Sequence, residues 1–143
     1  MLKIREVEER DLDRLKTIIN EPDIIRYMPL EKPVGLERLR RWYQSFRLFK
    51  RPSIFVLETD KVIGACSIYE DGKITIWIDR DYQRKGYGAK AIIYLKKYAV
   101  KNNIPRLWCD CFKDNKQALA FYEKIGFERM GQRDNSYLLE MKI

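Results

Sequence analysis

Lys-Ile-Thr-Ile-Trp-Ile-Asp, residues 73–79, leads directly into Arg-Asp-Tyr-Gln-Arg-Lys-Gly-Tyr-Gly-Ala, residues 80–89. The first run is rich in β-branched and aromatic side chains and predicts a strand. From residue 88 to residue 102 apolar positions recur at helical spacing, which predicts a helix. The loop before it carries Gly86 and Gly88. A helix that begins at such a loop presents unpaired N–H groups and the positive end of its dipole, so we expect a phosphate or pyrophosphate site.

The segments around this unit predict a mixed α/β structure. Residues 53–58, 62–69 and 73–79 are joined by short turns and predict an antiparallel meander. Residues 106–112 predict a further strand, parallel to 73–79 and beside it, because a helix connects the two. The other predicted strands are 2–7, 127–130 and 136–143. The other predicted helices are 12–20, 36–50 and 116–125, with Asp11 as the N-cap of the first. A short helical turn is predicted at 24–28.

The composition limits the class of protein. A chain of 143 residues with 45% hydrophobic and 35% charged residues is typical of one globular domain. No apolar run approaches the roughly 18 residues of a membrane span, and the N-terminus lacks the apolar region of a signal peptide. We therefore expect a cytoplasmic protein. The three cysteines, Cys66, Cys109 and Cys111, are expected to be buried and reduced.

The chain has no histidine, which excludes histidine-dependent catalytic triads and the usual Cys/His zinc sites. We expect no metal.

The formal net charge of +8 favours an anionic partner, and nucleic acid, a nucleotide-bearing cofactor or an acidic protein would all satisfy it. The helix 36–50 carries most of its cations on one side. We interpret that side as a solvated face over an aromatic core stripe, with nucleic-acid binding as the alternative. The cations of this face are Arg38, Arg40, Arg41, Arg47 and Lys50.

Two motifs, in this order, resemble those of the GCN5-related N-acetyltransferases. The hexapeptide Gln-Arg-Lys-Gly-Tyr-Gly, residues 83–88, resembles Gln/Arg-x-x-Gly-x-Gly/Ala, the acetyl-CoA pyrophosphate loop of that superfamily. The run Asn-Lys-Gln-Ala-Leu-Ala-Phe-Tyr-Glu-Lys-Ile-Gly-Phe, residues 115–127, resembles Asn-x-x-Ala-x-x-x-Tyr-x-Lys-x-Gly-Phe, its fourth-helix signature. Residues 20–29 resemble the entry loop of the ribosomal-protein N-terminal acetyltransferase branch.

The resemblance implies a fold and a cofactor. The fold is the α/β acyl-CoA N-acyltransferase fold, with about six to seven mostly antiparallel strands, a parallel pair that splays apart and about four helices, in a single domain over residues 1–143. The splayed strands would seat the pantetheine arm of acetyl-CoA. The residues implied to bind the cofactor are Trp77 and Ile78 through their main chain, Gln83, Arg84, Lys85, Gly86, Tyr87, Gly88, Ala89, Asn115, and Lys124 or Lys90 at the 3′-phosphate.

Catalysis needs a base for the amine and an acid for the thiolate of coenzyme A. Tyr122 matches the superfamily's general acid. Asp110 is the candidate base, acting through water, since some similar enzymes carry a glutamate there. A route through bulk water stays open. The weaker carboxylate candidates are Glu58, Glu70 and Asp79.

The sequence therefore predicts an acetyl-CoA-dependent N-acetyltransferase that transfers an acetyl group directly to a primary amine within a ternary complex. A protein or peptide N-terminus is favoured as the acceptor, with Tyr27 and Met28 in the acceptor groove. A polyamine or antibiotic is the alternative acceptor. A basic nucleic-acid-binding module and a non-catalytic acyl-CoA sensor are the alternatives of another class. We expect no membrane partner and either a monomer or a homodimer.

Overall fold

The structure, a computed structural model, describes all residues from Met1 to Ile143. It contains seven strands and five helices. The strands are β1 (Lys3–Glu6), β2 (Ser53–Glu58), β3 (Val62–Ile68), β4 (Ile74–Ile78), β5 (Arg106–Phe112), β6 (Glu128–Gln132) and β7 (Ser136–Lys142). The helices are α1 (Leu12–Ile19), α2 (Pro22–Ile25), α3 (Leu36–Phe49), α4 (Tyr87–Lys101) and α5 (Lys116–Lys124). No helix combines the length and the apolar character that crossing a membrane requires.

The strands form two antiparallel sheets that meet along one edge. The first sheet has the order β1-β2-β3-β4 and the second the order β5-β7-β6. They meet at one parallel bridge between Lys73 and Trp108, where the N–H of Trp108 donates to the carbonyl of Gly72 at 3.0 Å. Beyond that point β4 and β5 diverge. The predicted α/β fold, with a parallel pair that splays, is confirmed.

The strand alternation divides the core into two apolar layers. On one face of the first sheet, Phe55 and Ile78 pack in the same cluster as α4, α5 and the buried face of β5. On the other face, Val56 and Trp77 pack with α1 and α3. Successive residues of a strand point to opposite faces, so each strand contributes to both layers. Burial of both faces fixes the strand register and hence the position of the gap between β4 and β5.

Asp11 does not cap α1 as the sequence predicted. Its side chain makes no cap hydrogen bond to that helix. The buried carboxylate instead accepts the N–H of Glu8 at 2.8 Å and forms two hydrogen bonds with the guanidinium of Arg5, both at 2.9 Å. A charge-assisted, two-pronged bond to arginine is stronger than a cap bond to one amide, which explains the difference.

The remaining elements differ from the prediction mainly at their ends. The short helical turn expected at 24–28 is α2, Pro22–Ile25, because proline is well suited to the first turn of a helix. The strand expected at 127–130 is β6, Glu128–Gln132, which contains a register shift against β7. The three cysteines are free and buried, as predicted.

Candidate active site

The divergence of β4 from β5 leaves an edge of β4 open. The main-chain groups of Lys73 and Asp79 bond to β3. Because alternate residues of a strand present their N–H and C=O groups to opposite edges, the main chains of Ile76 and Ile78 face the gap. Trp77, the residue predicted for main-chain contact, presents its main chain to β3 instead, and β3 pairs with β4 without a register shift. The open edge can pair with an extended ligand that carries amides.

The side chain of Trp77 lies on the α3 side of the gap. It is buried beneath α3, and its ring lies 6.3 Å from that of Trp42, centroid to centroid. The two indoles form an apolar wall below the opening. Trp77 therefore belongs to the site through its side chain.

The loop between β4 and α4 is built for an anion. Gly86 is the N-cap of α4 with φ +84°, and no side chain caps the helix. The first main-chain bond of the helix runs from the N–H of Lys90 to the carbonyl of Gly86 at 3.2 Å. The N–H groups of Tyr87, Gly88 and Ala89 therefore have no partner within the helix. Residues 86–89 all line the cavity, and a Cβ placed on Gly86 would meet nothing within 4 Å.

A buried polar cluster holds this loop in place. The buried carboxylate of Asp79 accepts the N–H of Asp81 at 3.0 Å and pairs with Arg14. Glu21, which follows α1, accepts the N–H of Arg80 at 2.9 Å. The cluster ties the segment before α2 to the start of the anion loop, so the loop is held in shape by partners outside it.

Gln83 closes the loop onto the end of β4. Its amide nitrogen donates to the carbonyl of Ile78 at 2.8 Å. That bond occupies the carbonyl of Ile78, so the N–H and C=O groups of Ile76 remain as the free donor and acceptor at the gap.

Asn115 is the N-cap of α5, the helix on the other side of the gap. Its side-chain oxygen accepts the N–H of Ala118 at 3.3 Å, as expected for an N-cap.

Tyr122 lies on the α5 side of the gap. It is buried between the rings of Phe121 and Phe127, each 5.1 Å away centroid to centroid. Burial, together with the neighbouring thiols of Cys109 and Cys111, raises the pKa of the phenol well above its ordinary value of about 10. Burial also raises the pKa of the Cys109 thiol to about 12. The phenol therefore stays protonated, and a thiolate formed in these surroundings would be strongly basic.

Asp110 lies on the opposite face of β5. Its neighbours Cys109 and Cys111 are buried, whereas Asp110 is exposed, with the ammonium of Lys73 at 4.0 Å from its carboxylate. Tyr122 and Asp110 therefore approach the gap from opposite faces, the phenol from α5 and the carboxylate from the side of α3. This is the placement needed for an acid at a leaving group and a base at an incoming amine.

The other carboxylate candidates lie away from the gap. Glu58 pairs with Arg5, Glu70 with Arg51 and Asp79 with Arg14. None of the three carboxylates lines the cavity. Among the predicted candidates for the base, Asp110 alone faces it.

One cavity of about 1470 Å³ contains nearly the whole predicted site. The predicted residues that line it are Tyr27, Met28, Trp77, Ile78, Gln83, Arg84, Gly86, Tyr87, Gly88, Ala89, Asp110, Asn115, Tyr122 and Lys124. Lys85 does not line it; its ammonium lies 5.7 Å from the ring of Tyr82. Arg84, which lines the cavity, has φ +62°. Lys90 also lies outside the cavity.

The sequence interpretation missed the part of α3 that lines the cavity. Arg38 and Arg41 are exposed, as predicted, but they also form one wall of the opening together with Trp42 and Ser45. The signal was the spacing 38, 41, 42 and 45, a helical stripe next to the core stripe. Other lining residues that were not predicted include Arg51, Tyr69, Thr75 and Phe112.

Comparisons with known proteins agree with this geometry. The acetyltransferase (GNAT) family matches residues 13–127. An uncharacterized N-acetyltransferase, p20, of Bacillus licheniformis is 26% identical over 143 aligned positions, which cover 91% of this chain and 80% of p20. The [ribosomal protein bS18]-alanine N-acetyltransferase of Escherichia coli is 28% identical over 95 positions, 66% of this chain and 62% of that enzyme. The spermidine N-acetyltransferase of Vibrio cholerae, crystallised with CoA and spermine, superposes with a TM-score of 0.86 at 21% identity over 99% of this chain and 95% of its own.

The chain belongs to the acetyltransferase (GNAT) family. It is an N-acetyltransferase that uses acetyl-CoA, and the nucleic-acid module and the non-catalytic sensor are set aside. Its own residues fit the cofactor: free N–H groups beneath open space at Gly86, an exposed Arg84 beside them, and an unpaired strand edge at Ile76. When bound, acetyl-CoA supplies the acetyl group activated as a thioester.

Proposed function

We propose that this enzyme acetylates the α-amine of a peptide or protein N-terminus by direct transfer. The observation that carries the proposal is the charge of the acceptor side of the cavity, between α2, α3 and β5. Two carboxylates, Asp23 and Asp110, line it. They face five cations, Arg26, Arg38, Arg41, Arg51 and Lys73. Arg51 is paired with Glu70 and Lys73 with Asp110, so three of the five have no carboxylate partner. A polyamine acceptor needs several carboxylates spaced to match its ammonium groups, and this wall would repel it.

The acceptor side also has the shape and lining for a chain. The apolar and aromatic residues that line it are Tyr27, Met28, Trp42, Tyr69 and Phe112. The loop that carries Tyr27 and Met28 is closed by Asn20, whose side chain exchanges two hydrogen bonds with the main chain of Val34, at 2.9 and 2.8 Å. A fixed apolar rim suits the first side chain of a peptide. Because both sheets contribute to the cavity, we propose that residues 1–143 work as one domain.

We assign the cofactor side by the same cavity. The N–H groups of Tyr87, Gly88 and Ala89, with the guanidinium of Arg84, would hold the pyrophosphate. The open main chain of Ile76 would pair with the pantetheine arm, and Lys124 would reach the 3′-phosphate. These assignments leave Lys85 out of the site, since Lys85 does not line the cavity.

Proton movement then follows from the two flanking groups. An α-amine has a pKa of about 8, so a substantial fraction is neutral near pH 7.5, and Asp110 accepts the proton that the nitrogen loses on bonding to the acetyl carbon. Tyr122 donates its proton to the departing sulfur as the carbon–sulfur bond breaks. The nitrogen attacks the thioester carbon directly, so the C–N bond forms and the C–S bond breaks without an acyl-enzyme, while one proton leaves the nitrogen and one reaches the sulfur.

A panel of acceptors tests the proposal. Peptides with a free N-terminus, the same peptides with a blocked N-terminus and an internal lysine, spermidine and spermine are each incubated with enzyme and acetyl-CoA, and products are read by mass spectrometry. We expect acetylation of free N-termini with a kcat/KM at least about tenfold above that of the polyamines. Preferred acetylation of spermidine or of lysine side chains would contradict it.

A further inference from the structure

We propose that the peptide acceptor is acidic in the residues that follow its N-terminus, and that Arg38 and Arg41 recognise those carboxylates. This inference rests on the proposed function. It starts from the three faces of α3. One face, with Leu39 and Phe46, is buried in the core. A second lines the cavity, and the third, with Arg40 and Arg47, faces outward.

The two arginines of the cavity face have no carboxylate partner in the fold. The ion pairs and side-chain hydrogen bonds of the chain engage Arg51 with Glu70 and Lys73 with Asp110, but neither Arg38 nor Arg41. Both guanidinium groups are exposed at the mouth of the cavity. A guanidinium binds a carboxylate through two parallel N–H bonds, so the pair is free to receive carboxylates of a ligand.

The spacing of the stripe suits an extended chain. From residue 38 to residue 45 a helix rises by about 10 Å, since each residue adds 1.5 Å. An extended peptide covers about 3.3 to 3.6 Å per residue, so the stripe is about three residues long. With the first amine at Asp110, the carboxylates at the second to fourth positions of the acceptor would pass along α3. Trp42, next to Arg41 and one turn from Arg38, adds a flat apolar surface for the main chain of the peptide.

The experiment compares three peptides that share the same first residue and differ only at positions two to four. These positions hold Asp or Glu, alanine, or lysine. We expect kcat/KM for the acidic peptide to exceed that for the alanine peptide by about tenfold or more in low salt, and the ratio to shrink as salt rises. The lysine peptide should be the poorest.

A charge-reversal pair separates recognition from general attraction. The variant Arg38→Glu/Arg41→Glu should invert the order, so that the lysine peptide becomes the best. The variant Arg40→Glu/Arg47→Glu changes the net charge of the same helix by the same amount on its outward face, and it should keep the order of the unaltered enzyme. Acetyl-CoA affinity, measured for both variants, reports whether the fold is intact.

The outcomes are distinguishable. Equal kcat/KM for the three peptides, or an equal loss of preference in both charge-reversal variants, overturns the inference and leaves N-terminal acetylation standing. No acetylation of any free N-terminus, with a polyamine acetylated instead, overturns the proposed function as well. The inference is supported if Arg38→Glu/Arg41→Glu inverts the order of kcat/KM among the three peptides and Arg40→Glu/Arg47→Glu does not.

Discussion

Gly88 and the ring of Phe121 are in contact where α4 meets α5: a Cβ on Gly88 would lie 3.0 Å from two ring carbons of Phe121. Gly88 lies in the first turn of α4, directly after the anion loop, and Phe121 directly precedes Tyr122. The two sequence motifs therefore touch, and the glycine sets the distance between α4, the helix proposed to bind the cofactor, and α5, the helix that carries the proposed acid. Gly86 has a different role: a Cβ there would meet no neighbouring atom, and its φ of +84° is a conformation that favours glycine.

Gly88→Ala should therefore impair activity more than stability. Alanine gains about 0.5–1 kcal/mol of helix stability over glycine, which offsets part of the strain from the displaced ring. The ring of Phe121 must move, and it packs on Tyr122, so we expect a lower kcat and weaker acetyl-CoA binding. The double variant Gly88→Ala/Phe121→Leu should recover part of both. Measurement is by steady-state kinetics and thermal unfolding.

Gly86→Ala is the matched comparison. Its Cβ would meet no neighbour, but a non-glycine residue at positive φ costs about 1–2 kcal/mol. We expect a lower unfolding free energy that Phe121→Leu does not restore. Rescue of Gly86→Ala by Phe121→Leu would show that the two glycines do not have the separate roles assigned here.

Tyr122→Phe should lower kcat by about a hundredfold and leave acetyl-CoA affinity within about twofold, because it removes the proton donor and keeps the ring. Since burial raises the pKa of this phenol, the unaltered enzyme should show no loss of kcat from ionisation of Tyr122 below about pH 10. Tyr94→Phe, at a partly buried phenol outside the cavity, is the control and should retain full kcat. An undiminished kcat in Tyr122→Phe would exclude it as the acid.

Asp110→Asn should lower kcat/KM by about tenfold to a hundredfold near pH 7, because the amide has the shape of the carboxylate but accepts no proton. The deficit should persist above about pH 8, because a neutral α-amine still loses a proton when its nitrogen bonds to the acetyl carbon. The control is Asp114→Asn, which lines the same cavity at the start of α5. An undiminished kcat/KM in Asp110→Asn, or a loss that Asp114→Asn shares, would argue for bulk water as the base.

Glu21→Gln should change how stability depends on pH. Burial, with the nearby charge of Asp79, raises the pKa of Glu21 above its usual value. A carboxyl whose pKa is raised on folding favours the folded state at low pH, and this contribution is lost as pH rises through the folded pKa. Glutamine does not ionise, so the variant does not lose this stability as the pH rises. Its amide oxygen can still accept the N–H of Arg80.

The measurement is the free energy of unfolding in urea at pH 4 and pH 7. We subtract the unfolding free energy of the unaltered protein from that of the variant. We expect this difference to be more positive at pH 7 than at pH 4, which means that the variant gains stability relative to the unaltered protein as the pH rises. Glu128→Gln, on exposed β6 with no ion pair, is the control. A difference for Glu21→Gln that is equal at both pH values would contradict the raised pKa.

Much of the fold and of the loop before α4 could be predicted from the sequence, because local patterns determine them. The strand before Gly86, the helix after it and the crossover to 106–112 follow from hydrophobic period and glycine position. The partner of Asp11 could not be predicted in this way, since Arg5 reaches it only after β1 and α1 have packed. The cavity face of α3 depends on which side of a basic helix meets the gap, and only the tertiary arrangement decides that.

We propose that acetyl-CoA lies in the gap between β4 and β5 with its pyrophosphate at the start of α4. Calorimetric titration with acetyl-CoA and with S-acetylpantetheine, which lacks the pyrophosphate and the nucleotide, tests this directly. We predict saturable binding of one acetyl-CoA per chain and binding of S-acetylpantetheine weaker by about a hundredfold or more. No heat of binding at millimolar acetyl-CoA, or equal affinity for the two compounds, would contradict it.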